Sequence, residues 1–82
     1  MSRPDGWDER DDALVREFEF ASFADAIAFV DRVAELADRE NHHPDIDIRY
    51  RRVTVRWSTH SAGGVTERDL AMAERTSACE RP

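Results

Sequence analysis

The sequence predicts an α+β fold in which about four antiparallel strands form one sheet and the helices pack on one face. Three features of the 82 residues predict it. Hydrophobic and polar residues alternate early in the chain, a long stretch with helical spacing follows, and two further alternating runs come after it. A short helical pattern then follows a glycine pair. One sheet with its helices on one side would bury all of these amphipathic faces together.

The segment 13–20 predicts the first long strand, because hydrophobic and polar residues alternate along it. Leu14, Phe18 and Phe20 are expected on one face of this strand. Residues 7–10 allow an additional strand before it.

A long helix is predicted to begin after Ser22, whose side chain can cap it while Asp25 occupies its first turn. It should continue to about Arg39 and end near Asn41, because Pro44 disfavours helical conformation in the residue before it. Helical spacing predicts the following buried stripe, widened by Val33 and Leu36: Phe23, Ile27, Val30, Ala34 and Ala37.

Two strands of a hairpin are predicted next, since the hydrophobic period changes to two from Ile46 onward. Arg51 and Arg52 separate the two runs. Arginine is a poor residue for a tight primed turn, so a longer or bulged connection is an open alternative. The alternating hydrophobic residues are Ile46, Ile48 and Tyr50 in the first run, and Val53, Val55 and Trp57 in the second.

The last predicted element is a short helix after Gly63 and Gly64. Thr66 and Asp69 form its capping pattern, and Leu70 shares a face with a later alanine. We expect the helix to fray into the polar segment 77–82. The chain is then a single domain over residues 1–82, with flexible ends at 1–5 and 77–82.

Composition and charge narrow the classes of function. The net charge is −6 and every one of the 12 basic residues is arginine, which argues against binding to a nucleic-acid backbone. No apolar run approaches the roughly 20 residues that span a bilayer, and the first residues lack a signal-peptide pattern. We therefore expect a cytoplasmic protein without a membrane partner. Cys79 is the only cysteine, so no intrachain disulfide is possible.

The three histidines, His42, His43 and His60, occur in two short segments of the sequence. An unperturbed imidazole has a pKa of about 6.5 and can therefore give or take a proton near neutral pH. Three converging imidazoles admit acid/base catalysis or a metal site of the catalytic zinc type. Because helical His-x-x-x-His spacing is missing, acid/base chemistry is favoured. The simpler alternative is that one of the pair contacts helix carbonyls and the other is solvated.

Acidic residues near these histidines have two interpretations as well. Asp69 is either the capping partner of Thr66 or a group that orients an imidazole. Asp38 and Glu40 are close enough in sequence to reach a histidine, although solvated charges are the simpler expectation. Trp57 is expected to pack in the core rather than stack on a ligand.

These segments resemble the pterin-4a-carbinolamine dehydratase family, over about residues 6–76. The resemblance preserves order and spacing, and it is carried by Gly6-Trp7, Phe18-Glu19-Phe20, Asn41-His42-His43-Pro44-Asp45, Ser58-Thr59-His60, Gly64, Thr66 and Arg68-Asp69.

The resemblance implies dehydration of 4a-hydroxytetrahydropterin to quinonoid dihydropterin, which recycles the tetrahydropterin after aromatic amino acid hydroxylation. It also implies a four-stranded antiparallel sheet with helices on one face, and no metal or organic cofactor. A pterin is then the small-molecule substrate. By resemblance the catalytic residues are His42, His43 and His60, and the substrate-binding or supporting residues are Asp69, Asp38 and Thr59.

We expect two of these histidines, His42 and His60, to transfer protons while His43 positions the pterin. The N-terminal helix common in the family is expected to be missing, because the chain begins just before Gly6. A chain this short buries a modest core, so we also expect a homo-oligomer, either dimer or tetramer.

A second function remains open from the resemblance. Animal members of the family also act as dimerisation partners of a homeodomain transcription factor. The alternative is therefore a non-catalytic pterin-binding or protein-interaction module, either regulatory or related to molybdopterin metabolism.

Overall fold

A computed structural model describes residues 3–80 as one four-stranded antiparallel sheet with two helices. In the sheet the first strand pairs with the second, the second with the fourth, and the fourth with the third. The predicted α+β class is confirmed, and so is the additional strand before the first long one. The elements are β1 (Asp8–Arg10), β2 (Ala13–Glu19), α1 (Phe23–Glu40), β3 (Asp45–Arg49), β4 (Arg52–Trp57), a 3₁₀ turn (His60–Ala62) and α2 (Glu67–Ala78).

One face of the sheet carries the hydrophobic core. Two residue pairs between β2 and β4, Leu14 with Trp57 and Phe18 with Val53, are fully buried beneath α1 and α2. The opposite face is rich in charge, because alternate residues of each strand point there. Its charged residues on the three longer strands are Glu17, Glu19, Asp45, Asp47, Arg49, Arg52 and Arg56.

Both ends of α1 lie where the sequence predicts them. The Ser22 hydroxyl accepts a hydrogen bond from the Asp25 backbone N–H at 3.1 Å, which caps the first turn as predicted. At the other end Asn41 adopts the left-handed conformation with φ of 52°, and the next N–H, of His42, donates to the Ala37 carbonyl at 3.2 Å. This Schellman-type pattern satisfies a terminal carbonyl and turns the chain out of the helix.

The buried face of α1 differs from the predicted stripe. Phe23 is 51 % exposed and Ala34 is exposed, whereas Ala26 and Phe29, which the stripe left out, are fully buried. The aromatic residues of β2 explain the rotation, because the Phe29 ring lies 4.7 Å from the ring of Phe18. Hydrophobic residues occur on more than one side of α1, so helical spacing alone does not determine which side is buried. The buried residues are Ala26, Phe29, Val33, Leu36 and Ala37.

The β3–β4 connection is a tight turn of two residues, Tyr50 and Arg51, closed by the pair of Arg49 with Arg52. The prediction that Tyr50 continues the strand is therefore wrong, and the longer connection does not form. Tyr50 has φ of 54°, the left-handed conformation that a primed turn requires at its first position. Pairing along the two strands outweighs the poor fit of these residues to a turn.

The second helix ends two residues later than predicted, at Ala78. Ser77, where fraying was expected, accepts hydrogen bonds from Trp7 Nε1 at 2.9 Å and from Arg16 at 3.0 Å. These bonds join the end of α2 to the beginning of the chain and to β2. The outermost residues of the two ends predicted to be flexible, 1–2 and 81–82, lie outside the described residues, and the flexibility of these ends stays a prediction.

Candidate active site

The carboxylate of Asp69 lies fully buried in the first turn of α2 and accepts hydrogen bonds from three different residues. His42 Nε2 is 2.7 Å from Oδ1, and Thr59 Oγ1 is 2.7 Å from Oδ2. The backbone N–H of Thr66 donates to Oδ2 at 2.9 Å, which is the reciprocal bond of a capping box. The two interpretations of Asp69, cap and orienting group, therefore both apply to this carboxylate.

The hydrogen bonds keep Asp69 ionised. Burial raises its pKa, because a charge is less stable away from water. The hydrogen bonds from His42, Thr59 and the Thr66 backbone, together with the charge interaction with His42, lower it by more. The pKa of Asp69 consequently lies below its ordinary value of 3.8.

The ionised carboxylate fixes the orientation of the His42 ring. A carboxylate accepts only, so the proton in this contact sits on His42 Nε2. In the neutral ring Nδ1 is then the nitrogen with a free lone pair. The His42 ring is buried and lies against Trp57, with 5.4 Å between ring centroids, which further restricts its rotation. Trp57 itself is fully buried, as predicted.

The end of α1 and the beginning of α2 are joined directly. The Arg68 guanidinium donates to the backbone carbonyls of Glu40 and Asn41, both at 3.3 Å. An arginine beside the last carbonyls of a helix also interacts favourably with the helix dipole. This contact brings His42, which follows α1, to Asp69, which is in α2.

The loop after β4 brings His60 close to the same network. Thr59 and Gly64 exchange backbone hydrogen bonds of 2.9 and 3.3 Å, which close the loop around the 3₁₀ turn. Gly63 ends this turn with φ of 72°, a conformation that favours glycine. Thr59 is thereby bonded to Asp69, while His60, the next residue, is exposed to solvent.

Two cavities are lined by histidines of the predicted site. His60 lines a cavity of about 300 Å³ together with Asp45 and Arg56, and the β1–β2 turn also borders it. His42 lines a smaller one of about 120 Å³ between the two helices, with Glu40 and Arg68. Small-molecule sites usually begin at about 300 Å³. Of the two cavities that histidines line, the His60 cavity reaches this size, as does a separate cavity of about 380 Å³ lined by Arg32, Arg75 and Cys79 among others.

His43 takes a different position from its neighbour. Its Nε2 is 2.9 Å from Asp38 Oδ1, and both side chains are largely exposed. Through this contact the His43 side chain lies against the last turns of α1. An exposed pair of this kind is a weak restraint on the ring.

The sequence profile of one family, described as pterin 4 alpha carbinolamine dehydratase, matches residues 1–79. The chain belongs to this family. The resemblance seen in the histidine segments is thereby confirmed for nearly the whole chain.

Curated relatives in the dehydratase family are more than half identical to this chain. A protein from Thermomicrobium roseum is 57% identical over 70 residues, which cover 85% of this chain and 75% of the relative. One from Chloroflexus aggregans is 55% identical over 71 residues, covering 87% and 76%. Both are named as pterin-4-alpha-carbinolamine dehydratases on a provisional basis.

Two solved structures share the fold of this family member. A protein from Brucella melitensis, titled a transcriptional coactivator/pterin dehydratase, has a TM-score of 0.87 and 40% identity, covering 92% of this chain and 82% of its own. A pterin dehydratase-like protein identified as a RuBisCO assembly factor in the alpha-carboxysome has a TM-score of 0.78 and 27% identity. It covers 90% of this chain and 88% of its own.

The predicted site residues of this dehydratase-family chain fall into two hydrogen-bonded groups and one cavity wall. His42, Asp69 and Thr59 form one group, and His43 with Asp38 forms the other. His60 lines the larger cavity. Within residues 3–80 no group of three or more His, Cys, Asp or Glu side chains is arranged to hold a metal ion.

Sequence reasoning missed residues that line the His60 cavity. Arg56 looked like an ordinary exposed strand position, and nothing in the sequence marked it. Asp45 directly follows the His-His-Pro segment, which was a usable signal. The β1–β2 turn was not predicted as a neighbour of the site, because Asp11 and Asp12 reach it only through strand pairing.

No helix in the described part of the chain is long and apolar enough to cross a membrane.

Proposed function

We propose that this chain dehydrates 4a-hydroxytetrahydropterin to quinonoid dihydropterin by histidine acid/base catalysis. The observation that carries the proposal is the buried ionised Asp69 bonded to His42 at 2.7 Å, in a chain of the dehydratase family. The reaction breaks the bond from C4a to its hydroxyl oxygen and removes the proton on N5. The C4a–N5 double bond forms, and water leaves.

His42 is the proposed base for the N5 proton. Its Nε2–H is committed to Asp69, so Nδ1 is the nitrogen that can accept a proton. The imidazolium that forms is stabilised by the Asp69 carboxylate behind it, as in other carboxylate–histidine pairs. A positioned base of this kind contributes about 10²–10⁴-fold to a proton-transfer step.

His60 is the proposed acid for the leaving hydroxyl. It lines the cavity of about 300 Å³, whereas His42 lines the other one of about 120 Å³, so the proposal requires that a pterin in the His60 cavity also reaches the His42 ring. Thr59 connects the backbone of His60 to the Asp69 network. His43 would contact the pterin ring, and its exposed contact with Asp38 restrains the ring only weakly. Loss of water neither oxidises nor reduces the substrate overall, so the proposal requires no cofactor. The physiological role would be tetrahydropterin recycling.

A non-catalytic binding function is the second candidate. Structural relatives bear the names of a transcriptional coactivator and a RuBisCO assembly factor, so members with this fold have more than one described role. Such a function would use the pterin cavity or the protein surface for binding alone, and it would not require proton transfer.

A stopped-flow assay separates the two candidates. The wild-type chain is mixed with chemically generated 4a-hydroxytetrahydropterin, and loss of the carbinolamine absorbance is followed against buffer alone. The dehydratase proposal predicts a rate that rises with protein concentration and saturates with substrate. Binding of a stable dihydropterin without any acceleration of dehydration would favour the non-catalytic function.

A further inference from the structure

A cavity of about 380 Å³ lies in the groove between α1 and α2. Its lining residues include none of the predicted site residues and none of the Asp69 network. Leu36, which is almost fully buried, lines it from α1, and the small side chain of Ala78 lines it from α2. The cavity is within the size range of small-molecule sites, and the proposed dehydration does not use it.

Positive charge is concentrated around this cavity. Arg32 and Arg39 line it from α1, where helical spacing places them about two turns apart on the same side of the helix. Arg75 lines it from α2. Glu35 is the acidic residue among the described lining residues, so three positive charges and one negative charge give a net charge of +2. The whole chain carries −6, so the cavity is locally opposite in sign and attracts anions.

Two of the three guanidinium groups already converge on one carboxylate oxygen. Glu40 Oε2 lies 3.1 Å from Arg75 Nη1 and 4.0 Å from Arg39 Nε, so arginines of both helices reach the same atom. All three side chains are more than a third exposed, and ion pairs this exposed contribute little to stability. An oxygen anion can therefore be held between α1 and α2, and the Glu40 carboxylate can be exchanged for one from solution.

Arginine also covers the helix ends that would repel an anion. Arg32 Nε donates to the Cys79 carbonyl at 2.9 Å, at the end of α2. Arg68 donates to the carbonyls of Glu40 and Asn41, at the end of α1. A guanidinium beside the last carbonyls offsets the negative end of a helix dipole. The two dipoles therefore do not cancel the attraction of the cavity for an anion.

We propose that this cavity binds a small phosphate monoester, with its phosphate group held between Arg39 and Arg75. A phosphate monoester carries a charge of about −1.5 to −2 near pH 7, which matches the net charge of the lining. It also offers several oxygen atoms, so each planar guanidinium can bind it with two N–H groups instead of sharing one Glu40 oxygen. The rest of the cavity, beside Leu36, has room for the organic part of the ester.

Phenyl phosphate is a suitable probe, because it combines a phosphate group with a small apolar body. It is titrated into the full chain at low ionic strength, since salt screens exposed charges. Proton–nitrogen NMR follows the backbone amides and the arginine Nε–H signals. We expect saturable shifts at Arg39, Arg75 and Ala78, with a dissociation constant of about 1 mM or below. Inorganic phosphate should bind more weakly, and phenol should cause no saturable shift.

Charge-neutralising variants test the two guanidinium contacts. Arg39→Gln and Arg75→Gln each remove charge-assisted hydrogen bonds, so each should raise the dissociation constant of phenyl phosphate by about tenfold or more. Glu35→Gln removes the negative charge of the lining and should lower it. Arg49→Gln is the matched control, because Arg49 is also an exposed arginine in an ion pair, with Asp47, but lies on the charged face of the sheet. It should leave the dissociation constant unchanged.

Three results would overturn the phosphate site. The first is the absence of saturable shifts in the wild type up to about 10 mM phenyl phosphate. The second is a set of shifts centred on the His60 loop instead of the groove. The third is an equal loss of affinity in Arg49→Gln and Arg75→Gln, since this would indicate attraction to exposed charge in general. Circular dichroism establishes that every variant is folded. The titration contains no carbinolamine, so its outcome is independent of whether the chain is a dehydratase.

Discussion

Asp69 is both the reciprocal cap of α2 and the hydrogen-bond acceptor of His42. Its two oxygens divide these roles, since Oδ1 contacts His42 and Oδ2 contacts Thr59 and Thr66. Local helix capping thereby places a carboxylate where it can hold an imidazole from a distant part of the chain. A residue with this many buried contacts is sensitive even to isosteric change.

Asp69→Asn should lower both activity and stability. The amide group has the size of the carboxylate but places a donor among groups that themselves donate, so one buried hydrogen bond is lost at a cost of about 1–3 kcal/mol. If the amide N–H₂ faces His42 Nε2, the ring proton moves to Nδ1 and the proposed base is blocked. We expect kcat to fall by about 10²–10⁴-fold with a smaller change in KM, measured by stopped flow.

Nitrogen-15 NMR of the His42 ring gives an independent readout of the Asp69→Asn variant. The expected result is a change of tautomer relative to the wild type. An unchanged tautomer together with an unchanged kcat would contradict the role assigned to Asp69.

The end of α1 is the element that delivers His42 to its position. Asn41 adopts the left-handed conformation there, and its successor bonds back to Ala37. Asparagine tolerates this conformation better than most residues with a side chain, and glycine adopts it without steric cost.

Asn41→Ala should therefore destabilise the protein by about 1–2 kcal/mol, because alanine is strained in the left-handed region. Asn41→Gly is the matched control, and we expect it to keep the stability within about 0.5 kcal/mol of the wild type. Urea unfolding measures both values. Equal stability of the alanine and glycine variants would show that the left-handed conformation at position 41 does not matter.

The sequence predicted the order of elements across the whole molecule, because strand alternation, the Ser22 cap and the Thr66–Asp69 capping pattern are local signals. It did not predict which face of α1 is buried, since that depends on where the rings of β2 stand relative to Phe29. It also did not predict the hairpin turn, where strand pairing outweighs the turn preference of Tyr50.

The candidate site was predictable only in part. The residue types and their two segments were visible, but the division of the histidines among separate contacts was not. His42 and His43 are adjacent in sequence, yet one is buried against Asp69 and the other lies exposed beside Asp38. This difference arises from the turn after Asn41 and from the packing of α2, both of which are tertiary.

The stability of the whole molecule should depend on pH through Asp69. Its pKa is lowered by folding, so the unfolded chain takes up this proton first as the pH falls. The stabilisation is complete well above the unfolded pKa of 3.8 and is lost as the pH falls through the lower folded pKa. The difference in unfolding free energy between wild type and Asp69→Asn should therefore be full above about pH 5 and shrink below about pH 4.

Urea unfolding of both proteins at several pH values measures this difference. A gap between wild type and Asp69→Asn that widens as the pH falls would contradict the lowered pKa of Asp69.

The most direct test of the proposed acid/base catalysis is the single-turnover rate of carbinolamine dehydration with the protein in saturating excess over the substrate, measured by stopped flow for wild type, His42→Ala and His60→Ala. Ser61→Ala, in the same turn as His60, is the control for the folded loop. We expect each histidine variant to remain folded and to lose about 10²–10⁴-fold in rate, while the control keeps the wild-type rate. A folded His42→Ala protein that dehydrates the substrate at the wild-type rate would contradict it.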